Sequence, residues 1–108
     1  MNMSRTLDRI KNLVSKGKIR VSDHGYDEIA ADGLFVRDLV EGLPAAESLE
    51  EYPDFPKGPS VLVLEYDRDK RPVHAVWGIP RGEDSPAVLV TAYRPDPAKW
   101  TDDCRRRK

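Results

Sequence analysis

The sequence predicts an α+β fold, with N-terminal helices packed on a mainly antiparallel four-stranded sheet. Two patterns and one length predict it. Apolar residues recur at helical spacing in the first part of the chain, as in Leu7, Ile10, Leu13 and Val14. The later part consists of short apolar runs such as Val61-Leu62-Val63-Leu64, broken by proline and glycine. A length of 108 residues suits one domain. Helices followed by strands are the signature of segregated layers.

Residues 4 to 16 form the first predicted helix, capped by Ser4 and ended by Gly17. Ile19-Arg20-Val21 is a short extended piece. Ser22 or Asp23 caps a second helix that runs to about Asp32 and stops at Gly33. In the third helix, roughly 35 to 42, Phe35 with Leu39 and Val36 with Val40 are i,i+4 pairs forming one stripe. Ala46 to Tyr52 is an edge strand whose charges discourage sheet-to-sheet association. The loop Tyr52 to Pro59 is stiffened by proline and carries two aromatic residues. Ser60 to Tyr66 is apolar on both faces, so it is central. In Pro72 to Ile79, Val73, Ala75 and Trp77 lie on one face and His74 on the other. Ala87 to Arg94 is the last strand, stopped by Pro95 and Pro97. Short connections make these strands an antiparallel meander. The basic residues Arg105 to Lys108 read as a frayed, solvated tail following a domain of residues 1–100.

The formal net charge is −1, which gives no global pull towards nucleic acid. The distribution is uneven, with Glu41, Glu47, Glu50, Glu51 and Asp54 in the middle and a basic end. The single cysteine, Cys104, excludes an intrachain disulfide and fits a reducing compartment. The opening is charged and amphipathic rather than signal-like, and no apolar run is long enough to cross a bilayer. A cytoplasmic location, with no membrane partner, is therefore expected. The sequence holds no HExxH, CxxC, Walker loop, GxGxxG or GxSxG pattern. Neither a metal nor a cofactor is expected.

The two histidines, His24 and His74, are the candidates for proton transfer. His24 stands at the start of the second helix, where unpaired N–H groups and the helix dipole favour a neutral ring, a competent general base. Glu28, one turn on, is placed to orient it. The plain alternative is that His24 only packs and caps. His74 faces the side of the sheet opposite Trp77. Either Thr91 and Tyr93, or Arg94, of the last strand share that side, depending on register. Histidine or tyrosine moving protons and arginine on a phosphate would suit phosphodiester chemistry. Equally, these are ordinary half-exposed strand residues. Trp77 and Trp100 read as packing residues.

Ile19 to Glu28, Gly33 to Val40, His74-Ala75-Val76-Trp77 and Val90 to Pro95 together resemble an uncharacterised bacterial family, domain of unknown function 4258. The likeness spans roughly residues 8 to 97. That family is similar in layout to RelE/ParE-like toxins, helices followed by an antiparallel sheet. The resemblance implies a metal-independent endoribonuclease of toxin type, or a relic of one. It implies a site of His24, Thr91, Tyr93 and Arg94, with His74 auxiliary.

Two classes of function follow. As an enzyme, the domain would cut RNA by transesterification, with catalytic candidates His24, His74, Tyr93 and Arg94 and with Thr91 and Glu28 at the substrate. As a non-enzymatic module of the same fold, it would bind RNA or an antitoxin-like protein partner. In that role the acidic stretch 41 to 54 and the proline-rich loop would form the contact surface. Dimerisation through the sheet is a third possibility that the sequence does not weigh.

Overall fold

A computed structural model describes residues 4–108; the opening residues Met1 to Met3 of the amphipathic segment lie outside the described residues. The elements follow the order α1 (Arg5–Ser15), β1 (Ile19–Val21), α2 (Asp23–Ala31), α3 (Val36–Gly42), a 3-10 turn (Leu43–Ala45), β2 (Glu47–Tyr52), β3 (Ser60–Tyr66), β4 (Pro72–Gly78) and β5 (Ala87–Tyr93). The Ser4 hydroxyl accepts the Leu7 N–H at 3.0 Å and so starts α1. Ser22 does the same for the Gly25 N–H at 2.9 Å, starting α2. The apolar stripe of α1, with Leu7, Ile10 and Leu13, is buried.

The fold class holds, but the sheet has five strands and is mixed, in the order β1-β5-β4-β3-β2. The fifth strand is the short piece Ile19–Val21, which pairs parallel to β5; the remaining pairs are antiparallel. The four-stranded expectation failed because a three-residue strand has no periodicity to read, and its partner lies far along the chain.

Register sorts the side chains into two faces. Val61 and Val63 of β3, Val73, Ala75 and Trp77 of β4, and Leu89 and Ala92 of β5 meet α1, α2 and α3 in one core. Glu65 falls on this face too. Only 1% exposed, it accepts the Trp77 indole N–H through Oε2 at 3.0 Å.

β1 covers only the first half of the β5 edge, and α2 covers the rest. The Ser22 hydroxyl donates to the Val90 carbonyl at 2.9 Å, and the Arg94 N–H donates to the Asp32 carboxylate at 2.9 Å. Gly25 sits between them; a Cβ there would lie 2.5 Å from the Val90 carbonyl oxygen. The glycine thus lets α2 lie flat along the strand.

The C-terminal residues are not frayed. Trp100 and Arg107 form a β-bridge, and Arg105 and Arg107 pair with Glu47 and Glu50 of β2. The tail therefore lies on the sheet face away from the helices. Sequence reading missed this because the basic charges find their acidic partners across the fold, not along the chain. No helix among the described residues is long and apolar enough to cross a membrane.

Candidate functional site

At one end of the helix-free face, a single row of cross-strand partners runs Arg20, Val88, Gly78, Ser60 and Tyr52. Gly78 in the middle of this row has no side chain, and Ser60 closes over it, its Oγ 2.7 Å from where a Cβ would stand. A cleft of about 410 Å³ opens above the row, with Arg20, His24, Phe55, Lys57 and Val88 in its walls.

The wall opposite α2 is the proline-rich loop, and it is held rigidly. Arg81 donates through Nη2 to the Phe55 carbonyl at 2.6 Å and through Nε to the Pro56 carbonyl at 3.1 Å. Its backbone N–H donates to the Lys57 carbonyl at 2.9 Å. Gly58, at φ +134°, packs so tightly on the Ile79 carbonyl that any Cβ would collide at 1.9 Å. These contacts present Phe55, 39% exposed, at the rim.

The other wall is the start of α2. The side chain of His24 is 83% exposed, and its Nε2 lies 3.5 Å from Glu28 Oε1. Thr91 donates its hydroxyl to that same Glu28 oxygen at 2.6 Å. His24, Glu28 and Thr91 therefore form one chain of contacts, at the edge where α2 meets β5. The cationic residues Arg20 and Lys57 also line the cleft, Arg20 from β1 just before α2 and Lys57 from the loop, while Asp23 adds one opposing charge.

The other sequence candidates lie elsewhere. Arg94 follows β5 at the far end of α2, where Asp32 caps the helix. At about 1.5 Å per residue, roughly 12 Å of helix separates this end from His24. Its guanidinium is committed to Asp67 at 2.6 Å and to the Pro72 carbonyl at 3.2 Å. Burial opposes charge on Asp67, but hydrogen bonds from the Arg71 N–H, the Arg94 guanidinium and the Asp69 N–H outweigh it and hold the carboxyl below its usual range.

His74 does face away from the helices, but it is 0% exposed. Trp100 packs edge-on against its ring at 4.4 Å, and Tyr93 does so at 5.7 Å. Burial lowers the His74 pKa, and it raises that of Tyr93. The His74 ring faces the protein interior, not the cleft. The sequence candidates thus divide into three places: His24 with Glu28 and Thr91, His74 with Tyr93, and Arg94 alone with its carboxylates.

Sequence reading had not singled out Arg20, Lys57, Gly78 or Arg81. The first three meet only once the parallel pairing of β1 and the register of β3 and β4 are known. The loop itself, with its two aromatics, reads in the sequence as a candidate contact surface, and it forms one wall of the cleft. Among the described residues, no group of three His, Cys, Asp or Glu side chains is arranged to hold a metal ion.

Fold and site together define a small α+β domain with a mixed five-stranded sheet and a cleft lined by cationic and apolar residues at one sheet end. The family model described as Domain of unknown function (DUF4258) matches residues 21–94, and the chain belongs to that family. No curated protein and no solved structure matches the chain.

Proposed function

We propose that this domain binds single-stranded RNA, taking a phosphate and its adjoining base in the cleft between α2 and the proline-rich loop. One observation carries the reading: Arg20, Lys57 and His24 line one cleft together with apolar Val88 and Val90 and with Phe55. Cationic side chains supply sequence-independent attraction to phosphate, and an exposed ring supplies a stacking platform for a base. The net charge of −1 makes this a local patch rather than a global field.

The contact chain from Thr91 through Glu28 to His24 supports a second reading, metal-independent cleavage. A carboxylate beside an imidazole orients it for proton transfer, and Arg20 or Lys57 would face the phosphate. The layout likeness to RelE/ParE-like toxins expected from the sequence would point the same way, although Arg94 and His74 have no part in this version.

Titration of a fluorescent unstructured RNA oligonucleotide in the presence of EDTA tests both readings. The binding reading expects an affinity that falls as salt rises and weakens at least tenfold in Arg20→Gln, Lys57→Gln. Arg9→Gln, on the exposed face of α1, should bind as the wild type does. Equal affinity in all three proteins would sink it. Gel analysis of the same samples decides the second reading: fragments from wild type but not from His24→Ala support cleavage, and intact RNA throughout rejects it.

A further inference from the structure

Beyond Arg94, where the family match ends, the chain turns through Pro95 and Pro97 and folds back on itself. Two backbone bonds close this strap: the Thr101 N–H reaches the Arg106 carbonyl at 2.8 Å, and the Lys108 N–H reaches the Lys99 carbonyl at 2.9 Å. It lies across the helix-free face of β2, β3 and β4, at the end away from the cleft. Leu62 and Leu64 on that face are each 1% exposed and stand outside the helix-side core.

The contacts have the chemistry of peptide recognition. Trp100 is 4% exposed and packs edge-on against His74. The Arg107 guanidinium lies 4.7 Å above the Trp100 ring and forks onto Glu50 at 2.8 and 3.0 Å. Arg105 forks onto Glu47 at 2.8 and 2.9 Å. Paired forks of this kind fix register as well as attraction. The fit is nevertheless incomplete. His74 Nε2 lies 2.7 Å from the Cys104 carbonyl, which can only accept, so Nε2 carries the proton. Nδ1 is then a buried acceptor, and it has no hydrogen-bond partner among the described residues. Leaving a buried acceptor bare is costly, and a segment offering it a donor would fit this face better than the strap does.

We propose that this face is a docking surface for a basic, aromatic-bearing segment of a partner protein, and that the C-terminal strap is its intramolecular placeholder. The surface is built for one sign of ligand: Glu47 and Glu50 flank a socket that accepts an indole. A tethered strap has a high effective concentration, so a partner segment must exceed its fit to displace it. A hydrogen-bond donor to the unpaired Nδ1 would supply the difference.

The test uses the full chain and a labelled synthetic peptide of residues 95–108, added in trans. The variant Trp100→Ala, Arg105→Gln, Arg107→Gln weakens the internal strap. It should bind the peptide at least tenfold more tightly than wild type does. Adding Glu47→Gln and Glu50→Gln should abolish that gain. No binding to a triple variant with wild-type circular dichroism would overturn the proposal, as would binding indifferent to the two glutamates. If the triple variant does not fold, isotope-labelled wild type with excess unlabelled peptide replaces it. With the peptide at about 10 mM, above the roughly millimolar effective concentration of a short tether, the Trp100 indole N–H signal should move to its solvent-exposed position, and an unmoved signal overturns the idea. A wild-type dimer held by exchanged straps would give the face to a second copy and overturn the assignment to a foreign partner.

Discussion

Two buried carboxyls show how much single residues contribute to the pH dependence of the fold. Burial pushes the Glu65 carboxyl up to about 8, against the pull of the Trp77 hydrogen bond and the positive charge of Lys11. The group is neutral in the folded protein at pH 7 and ionised in the unfolded chain. Its folded value is raised, so stability is fullest below about 4.5 and falls as pH rises towards 8. The slope is about 1.4 kcal/mol per pH unit over that window. Glu65→Gln keeps an acceptor for the Trp77 N–H and has no proton to lose. Urea unfolding at pH 5 and pH 8 should show the wild type losing several kcal/mol more than the variant, and parallel losses would contradict the assignment. Asp67 has the opposite sign: its depressed value gives stability that disappears as pH falls. Arg94→Ala removes one of its partners and should cost about 2 kcal/mol at pH 7. That outcome would mark Arg94 as a structural residue. The sequence showed an arginine at a strand exit next to Asp96. It did not show Asp67 and Asp32 arriving from a β-turn and a helix end.

Local chemistry made most of the elements legible. Serine caps, apolar spacing and proline or glycine stops set α1, α2 and α3 to within a residue or two of their observed bounds. Alternation along β4 assigned His74 to the helix-free face, and the register agrees. What alternation could not convey is whether that face stays open. The strap that seals it is too short and too polar to register as an element, and it is held by pairs nearly sixty residues apart in sequence. The cleft was hidden for a related reason. Gly78 reads as an ordinary strand glycine until its neighbours in the row, Ser60 and Val88, are known. The seat of α2 on β5 is an element-scale feature with its own test. Gly25→Ala forces a methyl against the Val90 carbonyl, so the helix must lift away from the strand. A loss on the order of 1–3 kcal/mol is expected from such overpacking. Because His24 rides on α2, RNA affinity should fall with it. A variant as stable as wild type would mean that the helix is not seated as described.

At the scale of the whole molecule, the parallel pairing of β1 with β5 joins the two ends of the matched family segment. The helix-side core therefore cannot form before β5 arrives, and its unfolding should be cooperative. The strap is attached differently. It reaches the body through one buried indole, one imidazole and two arginine–carboxylate forks, and it takes no part in the helix-side core. The two forks are partly exposed charge pairs, which salt weakens, whereas apolar burial is not weakened by salt. The two tryptophans report the two regions separately, since Trp77 lies at 0% exposure in the core and Trp100 anchors the strap. Incorporation of 5-fluorotryptophan gives one fluorine signal for each. In a urea titration at low salt the two should move nearly together. In 1 M sodium chloride the Trp100 signal should begin its transition at lower urea, with the Trp77 midpoint unchanged or raised. Coincident transitions at both salt concentrations would mean that the strap unfolds only with the core. A strap so fused could not yield its place to a partner segment.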